Sequence, residues 1–250
     1  MIAVRDFNAT VKDGLALVSH VTFDLAQGKV LGVYGPNGAG KSTLLRAISG
    51  VARTHAFSGE VTLGLKPLAS LKNPQERVHQ ILYLSSDFHA PFNLSVRELF
   101  QMGADTGGKP QGRIIEIVEA CKLSDFVSRD FSTLSDGEKQ LVMFARVLIQ
   151  GPLIAVLDES FSKLDLDKLI LVTRLIRKAT SEGMTFVIAA HDLNFLSEVA
   201  DDLLFLKNGK MLAHGPVMTV LTGTMLEALY PDIALQVVRS PETGKFKVLY

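Results

Sequence analysis

The chain has 250 residues, enough to bury a substantial core as one α/β domain or as a core with a small subdomain. Its 26 Lys and Arg balance 26 Asp and Glu, so no global field draws it to nucleic acid or to an anionic membrane. The single cysteine, Cys121, excludes an internal disulfide and fits a reducing compartment, where a buried inert thiol is its expected state. The chain opens on a strand-like Ile2-Ala3-Val4 without the apolar block of a signal peptide, and no run of ~20 apolar residues occurs. A cytosolic protein is expected, unless a partner holds it at a membrane.

Taken in order, residues 2–28 read as antiparallel strands, Ile2–Val4 and Val21–Leu25, flanking a turn at Lys12-Asp13-Gly14. Val30–Tyr34 reads as a buried strand, followed by a glycine-rich loop and a helix from Ser42 that stops at Gly50. Gly59–Leu63 suggests another strand, and Val78–Leu84 a further one ending at Ser85-Ser86-Asp87. Residues 91–150 differ in character. Helices are expected at Ser95–Met102, Ile114–Cys121 and Ser135–Ile149, with a loop over Thr106–Pro110 and no strand-like run, as in a helical insertion. Strands resume at Leu153–Leu157 and Thr185–Ala190, separated by a helix over Lys168–Ser181. Asp202–Leu206 and Met211–His214 bracket Asn208-Gly209, a strong hairpin signal, and Leu235–Tyr250 reads as a second hairpin around Pro241–Gly244. The alternation predicts a mainly parallel sheet covered by helices on both faces.

The chemistry concentrates where strands end. Gly35, Pro36, Asn37, Gly38, Ala39, Gly40, Lys41 and Ser42 fit G-x-x-x-x-G-K-[ST], and Thr43 follows. Glycines let consecutive backbone N–H groups turn inward around a phosphate, and the helix start adds unpaired donors and a positive dipole end. Lys41 would reach the β- and γ-phosphates, and the Ser42 hydroxyl would sit on Mg²⁺. In an open parallel sheet, ligands bind beyond the carboxyl ends of the strands. Asp158-Glu159 leaves one apolar run there and His191-Asp192 another. Asp158 is placed to hold the Mg²⁺ shell and Glu159 to polarise an attacking water. Taken alone, the acidic pair would read as a solvated strand exit or helix cap, and His191 as a packed or solvated histidine. The other five histidines show no zinc-ligand spacing. Farther along, Ser135 and Glu138 within Leu134-Ser135-Asp136-Gly137-Glu138-Lys139-Gln140 form a capping box. A capped helix start is also an anion site, so both readings stand at this point.

With these motifs in place the whole chain resembles the ATP-binding cassette family. Gly35–Thr43 is similar to its Walker A motif, Leu134–Gln140 to its signature motif, and Ile154–Glu159 to its Walker B strand with catalytic glutamate. Ser162-Lys163-Leu164-Asp165 resembles the D-loop, and His191 the switch histidine. The resemblance implies an α/β fold with a phosphate-loop NTPase (RecA-like) core over 1–90 and 151–234. An N-terminal antiparallel β subdomain, an inserted helical subdomain over 91–150 and a C-terminal hairpin over 235–250 complete it. It implies ATP hydrolysis with Mg²⁺ as cofactor, catalysed by Glu159, His191 and Lys41, the metal touching Ser42, Asp158 and Ser86. It further implies a head-to-tail dimer, or paired cassettes, in which Ser135, Gly137 and Glu138 of one chain face the nucleotide on the phosphate loop of the other. Integral membrane permease subunits would dock in the helical cleft and serve a substrate-binding protein. The chain would be peripheral at the inner face of the cell membrane, with no nucleic acid partner.

Some positions depart from the family pattern. Ser86 stands where glutamine is usual, and Gln80 falls earlier, inside the expected strand. Asp136 replaces a signature glycine, and Ser160 a proline. No aromatic precedes the phosphate loop where adenine would stack; Val11 or Lys12 falls near that place. The stretches His191–Asn194, Lys207–Lys210, Gly215-Pro216 and Val220–Thr222, with the final hairpin, look like importers of iron–siderophore, haem and cobalamin complexes. The competing expectations are a cassette ATPase of DNA repair or the ribosome, and a weakly hydrolysing regulatory module.

Overall fold

Val30–Tyr34, Ile154–Asp158 and Thr185–Ala189 are strands in which every residue is buried, and the sheet is arranged around them. Uninterrupted apolar strands require cover on both faces, which parallel strands with helical crossovers supply. The computed structural model describes residues 1–11, 14–51, 56–86, 94–241 and 244–249. Its strands are β1 (Ile2–Thr10), β2 (Ala16–Leu25), β3 (Val30–Tyr34), β4 (Ala56–Leu63), β5 (Lys66–Pro67), β6 (Ile81–Ser85), β7 (Ile154–Asp158), β8 (Thr185–Ala189), β9 (Asp202–Lys207), β10 (Lys210–Pro216), β11 (Gln236–Arg239) and β12 (Phe246–Leu249). The helices are α1 (Lys41–Ile48), α2 (Pro74–Gln80), α3 (Val96–Gly107), α4 (Gln111–Ala120), α5 (Asp136–Gln150), α6 (Leu166–Ser181), α7 (Leu193–Val199), α8 (Val217–Val220) and α9 (Gly223–Leu229).

Ten strands form one sheet in the order β5-β4-β1-β2-β10-β9-β3-β8-β7-β6. The segment from β9 to β6 is parallel, whereas β1, β2, β4 and β5 pair antiparallel. The two parts meet through a single parallel pair, Lys210 opposite Ser19, reinforced where the Ser19 N–H donates to Gly209 O at 2.8 Å. Alternation along the strands divides the core between the faces. Leu31, Val33 and Val156 pack with Leu44, Leu45 and Ile48 of α1; Ala155, Leu157 and Ile188 pack with α5, α6 and α7. The small β11–β12 hairpin is held to α7 by Asn194, whose Nδ2 donates to Val248 O at 3.1 Å while its Oδ1 accepts from Val248 N at 2.7 Å.

Two sequence expectations need correction. Val78–Gln80 close α2 and do not begin β6, so Gln80 ends a helix. Asn73 caps that helix by accepting from Gln75 N, with Pro74 in its first turn, a start signal that the apolar run concealed. The expected loop at Thr106-Gly107 is the last turn of α3, which ends at Gly108 in left-handed conformation. Glycine is required at 107 because α3 crosses the end of α5 there: a Cβ at this position would collide with Gln150 O. Lys12 and Asp13 of the first expected turn, Asp87, the boundary at Pro91, and Glu242, Thr243 and Tyr250 of the tail lie outside the described residues.

Candidate active site

Helix α1 begins at Lys41 with Gly40 at its N-cap, without a side-chain cap and without an acid in its first turn. Its first N–H groups and positive dipole end are therefore left to a ligand. Lys41 is only 5 % exposed; its Nζ donates to Gly35 O at 2.8 Å and Pro36 O at 3.2 Å, folding back across the loop. Burial lowers the Lys41 pKa from its ordinary value, opposed by the charges of Glu159 and Asp158. The loop borders a cavity of ≈ 280 Å³ lined by Leu17, residues 37–43 and Glu159.

The strand ends converge on this cavity. Ser42 Oγ donates to Asp158 Oδ1 at 3.1 Å, joining the start of α1 to the end of β7. Oxygen donors of a hydroxyl and a carboxylate side by side are the chemistry Mg²⁺ prefers, so Ser42 and Asp158 fit that ion. The other carboxylate oxygen, Oδ2, accepts from the Tyr83 hydroxyl at 2.7 Å, and Arg46 Nε donates to that same phenol oxygen at 3.1 Å. Burial, then the bond to Asp158, raises the Tyr83 pKa far above the phenolic range, so the group is a fixed donor. Glu159 follows with φ 53°, a left-handed backbone that a non-glycine residue adopts at a cost of about 1–3 kcal/mol and that marks functional turns. Its N–H donates to Ala189 O at 3.0 Å, and its Oε1 stands 2.7 Å from His191 Nε2. The carboxylate and imidazole stand partly open to solvent, where a water can be held and a proton taken.

Between the end of β6, the first turns of α5 and the loop after β7 lies a second cleft of ≈ 260 Å³, bordered by Ser86, Asp136, Lys139, Gln140, Ser160 and Lys163 among others. Ser135 caps α5 by accepting from Glu138 N at 3.4 Å, while Glu138 Oε2 accepts from Ser135 N at 2.7 Å. That backbone N–H holds the Glu138 carboxyl below its usual range. Gly137 lies against the loop after β7: a Cβ there would stand 2.8 Å from Lys163 O. Gln140 completes the contact, donating to Ser162 Oγ at 3.3 Å and accepting from Lys163 N at 2.9 Å. Asp136 is exposed in the first turn of α5, where a negative charge suits the dipole. Ser160, 2 % exposed, donates to Leu84 O at 3.0 Å, tying β6 to β7 as a proline could not. Ser86 N donates to Asp158 O at 3.0 Å, so Ser86 sits between the metal-type donors and this cleft.

The structure thus gathers Gly38–Thr43, Asp158, Glu159 and His191 at one end of the sheet. Among the described residues, Ser135, Gly137 and Glu138 do not line the phosphate-loop cavity. Two residues that line or brace these features have no role in the sequence reading, Leu17 and Tyr83, and Gln140 stands in the signature-like stretch without one. Val11 does not line the cavity and Lys12 lies outside the described residues, whereas Leu17 forms part of its wall. Tyr83 had a signal, since a tyrosine inside a buried strand needs a partner for its hydroxyl.

Comparison with known proteins follows the same lines. The family described as ABC transporter matches residues 18–162. The hemin import ATP-binding protein HmuV of Rhodopseudomonas palustris (strain HaA2) is 36 % identical over 234 residues, covering 90 % of this chain and 88 % of that protein. The manganese transport system ATP-binding protein MntB of Listeria monocytogenes is 33 % identical over 223 residues, covering 86 % of this chain and 90 % of that one. A chain of an ABC transporter assigned to the metal-chelate type, solved in an inward-facing conformation, superposes with TM-score 0.79 at 27 % identity over 100 % of this chain and 97 % of its own. An ATP-binding cassette of an ABC transporter in its ADP conformation shares the fold, with TM-score 0.78 at 23 % identity over 93 % of this chain and 99 % of its own.

Proposed function

This chain belongs to the ABC transporter family and is one of its ATPases, and from that premise we propose that it is the ATP-hydrolysing subunit of an importer for iron–siderophore, haem or cobalamin-type complexes. The observation that carries the catalytic part is the Glu159–His191 contact at 2.7 Å beside the phosphate-loop cavity. The importer reading is supported by relatives that serve hemin import and manganese transport, and by the neighbour of metal-chelate type.

In this reading Gly35–Thr43 wrap the phosphates with backbone N–H groups, and Lys41 exchanges its two loop carbonyls for β- and γ-oxygens. Ser42 and Asp158, and Ser86 through them, would hold Mg²⁺, which would supply neutralisation of the phosphate charge. Glu159 orients a water and accepts its proton, while His191 keeps the carboxylate turned inward and stabilises charge developing on the γ-phosphate. Leu17 forms an apolar wall beside Gly40 where a base can lie.

The dimer belongs to the same proposal. The first turn of α5 lies outside its own chain's phosphate cavity, and the Ser135 hydroxyl, engaged with Glu138 in the capping box, would turn its proton to a nucleotide on a second copy. Residues 91–150 serve as the helical subdomain, 1–90 and 151–234 as the core, and 235–250 as the hairpin. Membrane permease subunits dock on the cleft at Ser86 and Lys139, and a binding protein delivers the cargo to them. No described helix is long and apolar enough to cross a membrane, so attachment to the inner membrane face runs through those subunits.

The Glu159→Gln variant tests the assignment. It keeps the side chain's size and removes the base, so turnover should fall by about 10²–10⁴-fold while ATP still binds and a nucleotide-bound dimer accumulates in gel filtration. Turnover at the wild-type level overturns the role of Glu159.

A further inference from the structure

We propose that Tyr83 is the positioning residue for the Asp158 carboxylate, fixing from β6 which oxygen of that group is presented to the metal. The proposal rests on the reading of Asp158 as an Mg²⁺ ligand. Asp158 is 3 % exposed, so bulk solvent has little access to its carboxylate. The χ2 torsion of aspartate is broad and close to two-fold, and by itself it does not choose between Oδ1 and Oδ2.

Two hydroxyls make the choice. Ser42 donates to Oδ1 at 3.1 Å from the phosphate-loop side, and Tyr83 donates to Oδ2 at 2.7 Å from β6. A bond from a phenol to a carboxylate is charge-assisted and short, the stronger kind of hydrogen bond. Its direction is set by a third group. Arg46 has no lone pair to offer, so the phenol oxygen accepts from Arg46 Nε at 3.1 Å and its proton is left for Asp158. Arg46 and Ser42 stand one turn apart on the same side of α1. The ring Ser42–Asp158–Tyr83–Arg46 therefore closes on itself, joining α1, β7 and β6 around one carboxylate. Oδ2 is occupied within that ring, and Oδ1 with Ser42 Oγ is the pair turned to the phosphate loop.

The same strand reaches the second cleft. Ser86, directly after β6, donates its N–H to Asp158 O at 3.0 Å and borders that cleft. The carboxylate is thus gripped from β6 by main chain and side chain together, and movement of β6 would be felt at Oδ2 through the phenol.

The test measures binding of a fluorescent ATP analogue to the full chain, in EDTA and across a Mg²⁺ titration, for wild type, Tyr83→Phe and Asp158→Asn. Tyr83→Phe keeps the ring and removes only the hydroxyl. Its affinity for the analogue in EDTA should be unchanged, and its half-effective Mg²⁺ concentration should rise by about tenfold, the usual cost of losing an outer partner of a metal ligand. Asp158→Asn should lose the Mg²⁺ dependence almost entirely. If Tyr83→Phe follows the wild-type Mg²⁺ curve while Asp158→Asn does not, Tyr83 has no positioning role and the metal reading stands. An equal loss of affinity with and without Mg²⁺ in Tyr83→Phe also overturns the proposal, since it shows a structural role alone. A wild-type Mg²⁺ curve for Asp158→Asn overturns the metal reading beneath it.

Discussion

At the start of α1 no side chain caps the helix and no acid lies in the first turn; at the start of α5 Ser135 and Glu138 cap each other, and Asp136 adds a second acid. An uncapped helix start inside a domain leaves N–H donors without partners, a cost that a bound anion removes. A capped start has already satisfied them and holds its shape without a ligand. The contrast indicates that α1 is built around something the chain must bind, whereas α5 is complete by itself and presents a finished surface. Lys41 marks the difference on one side, since a buried ammonium bonded to two loop carbonyls is held ready for a stronger partner. On the other side Gly137 and Gln140 moor α5 to residues 162–163 of its own chain.

The largest effect is expected at Lys41. Lys41→Ala removes a charged donor, worth about 1.5–3 kcal/mol, so the dissociation constant for ATP should rise by about 10–100-fold in a titration. Unchanged affinity would mean that the open helix start alone holds the phosphates. Gly137→Ala tests the mooring of α5. Its methyl group enters the 2.8 Å approach to Lys163 O, and overpacking of this kind costs about 1–3 kcal/mol, read as a lower midpoint of chemical denaturation. At the cap, Ser135→Ala should cost about 1 kcal/mol of stability and weaken ATP-driven association as well. Ser135→Asp sharpens the point, because aspartate caps as well as serine but cannot donate to a phosphate. Stability should be kept and association lost, and association at the wild-type level would confine Ser135 to its cap.

At neutral pH no titration effect is expected from Cys121, the buried C-cap residue of α4. Burial pushes its thiol up to about 12 from 9.0. The folded chain therefore keeps a proton that the unfolded chain releases, and stability present below pH 9 should decline as pH rises from there toward 12. Cys121→Ala should flatten that decline in denaturation curves taken across this range. At neutral pH a thiol reagent should label the chain only after unfolding.

Much of the framework could be read directly from residue order. Strand β3, the phosphate loop and α1, the buried runs of β7 and β8, the Ser135–Glu138 cap and the turn at Asn208-Gly209 are each specified by neighbours within a few positions. Helix α2 escaped because Val78 stands close enough to the apolar Ile81–Leu84 to read as part of the same strand, although the backbone changes conformation between them. The wiring of the site was decided elsewhere. Ser42 and Asp158 stand 116 residues apart in the chain, and Tyr83 and Asp158 75 apart. Which side chains meet at such separations follows from strand order. With β7 between β8 and β6, Glu159 is delivered beside His191, and Tyr83 beside Asp158. The sequence by itself determined which groups could do chemistry and on what local backbone each would stand. Only the tertiary structure determined the partner of each, because pairing between distant strands carries no local signature.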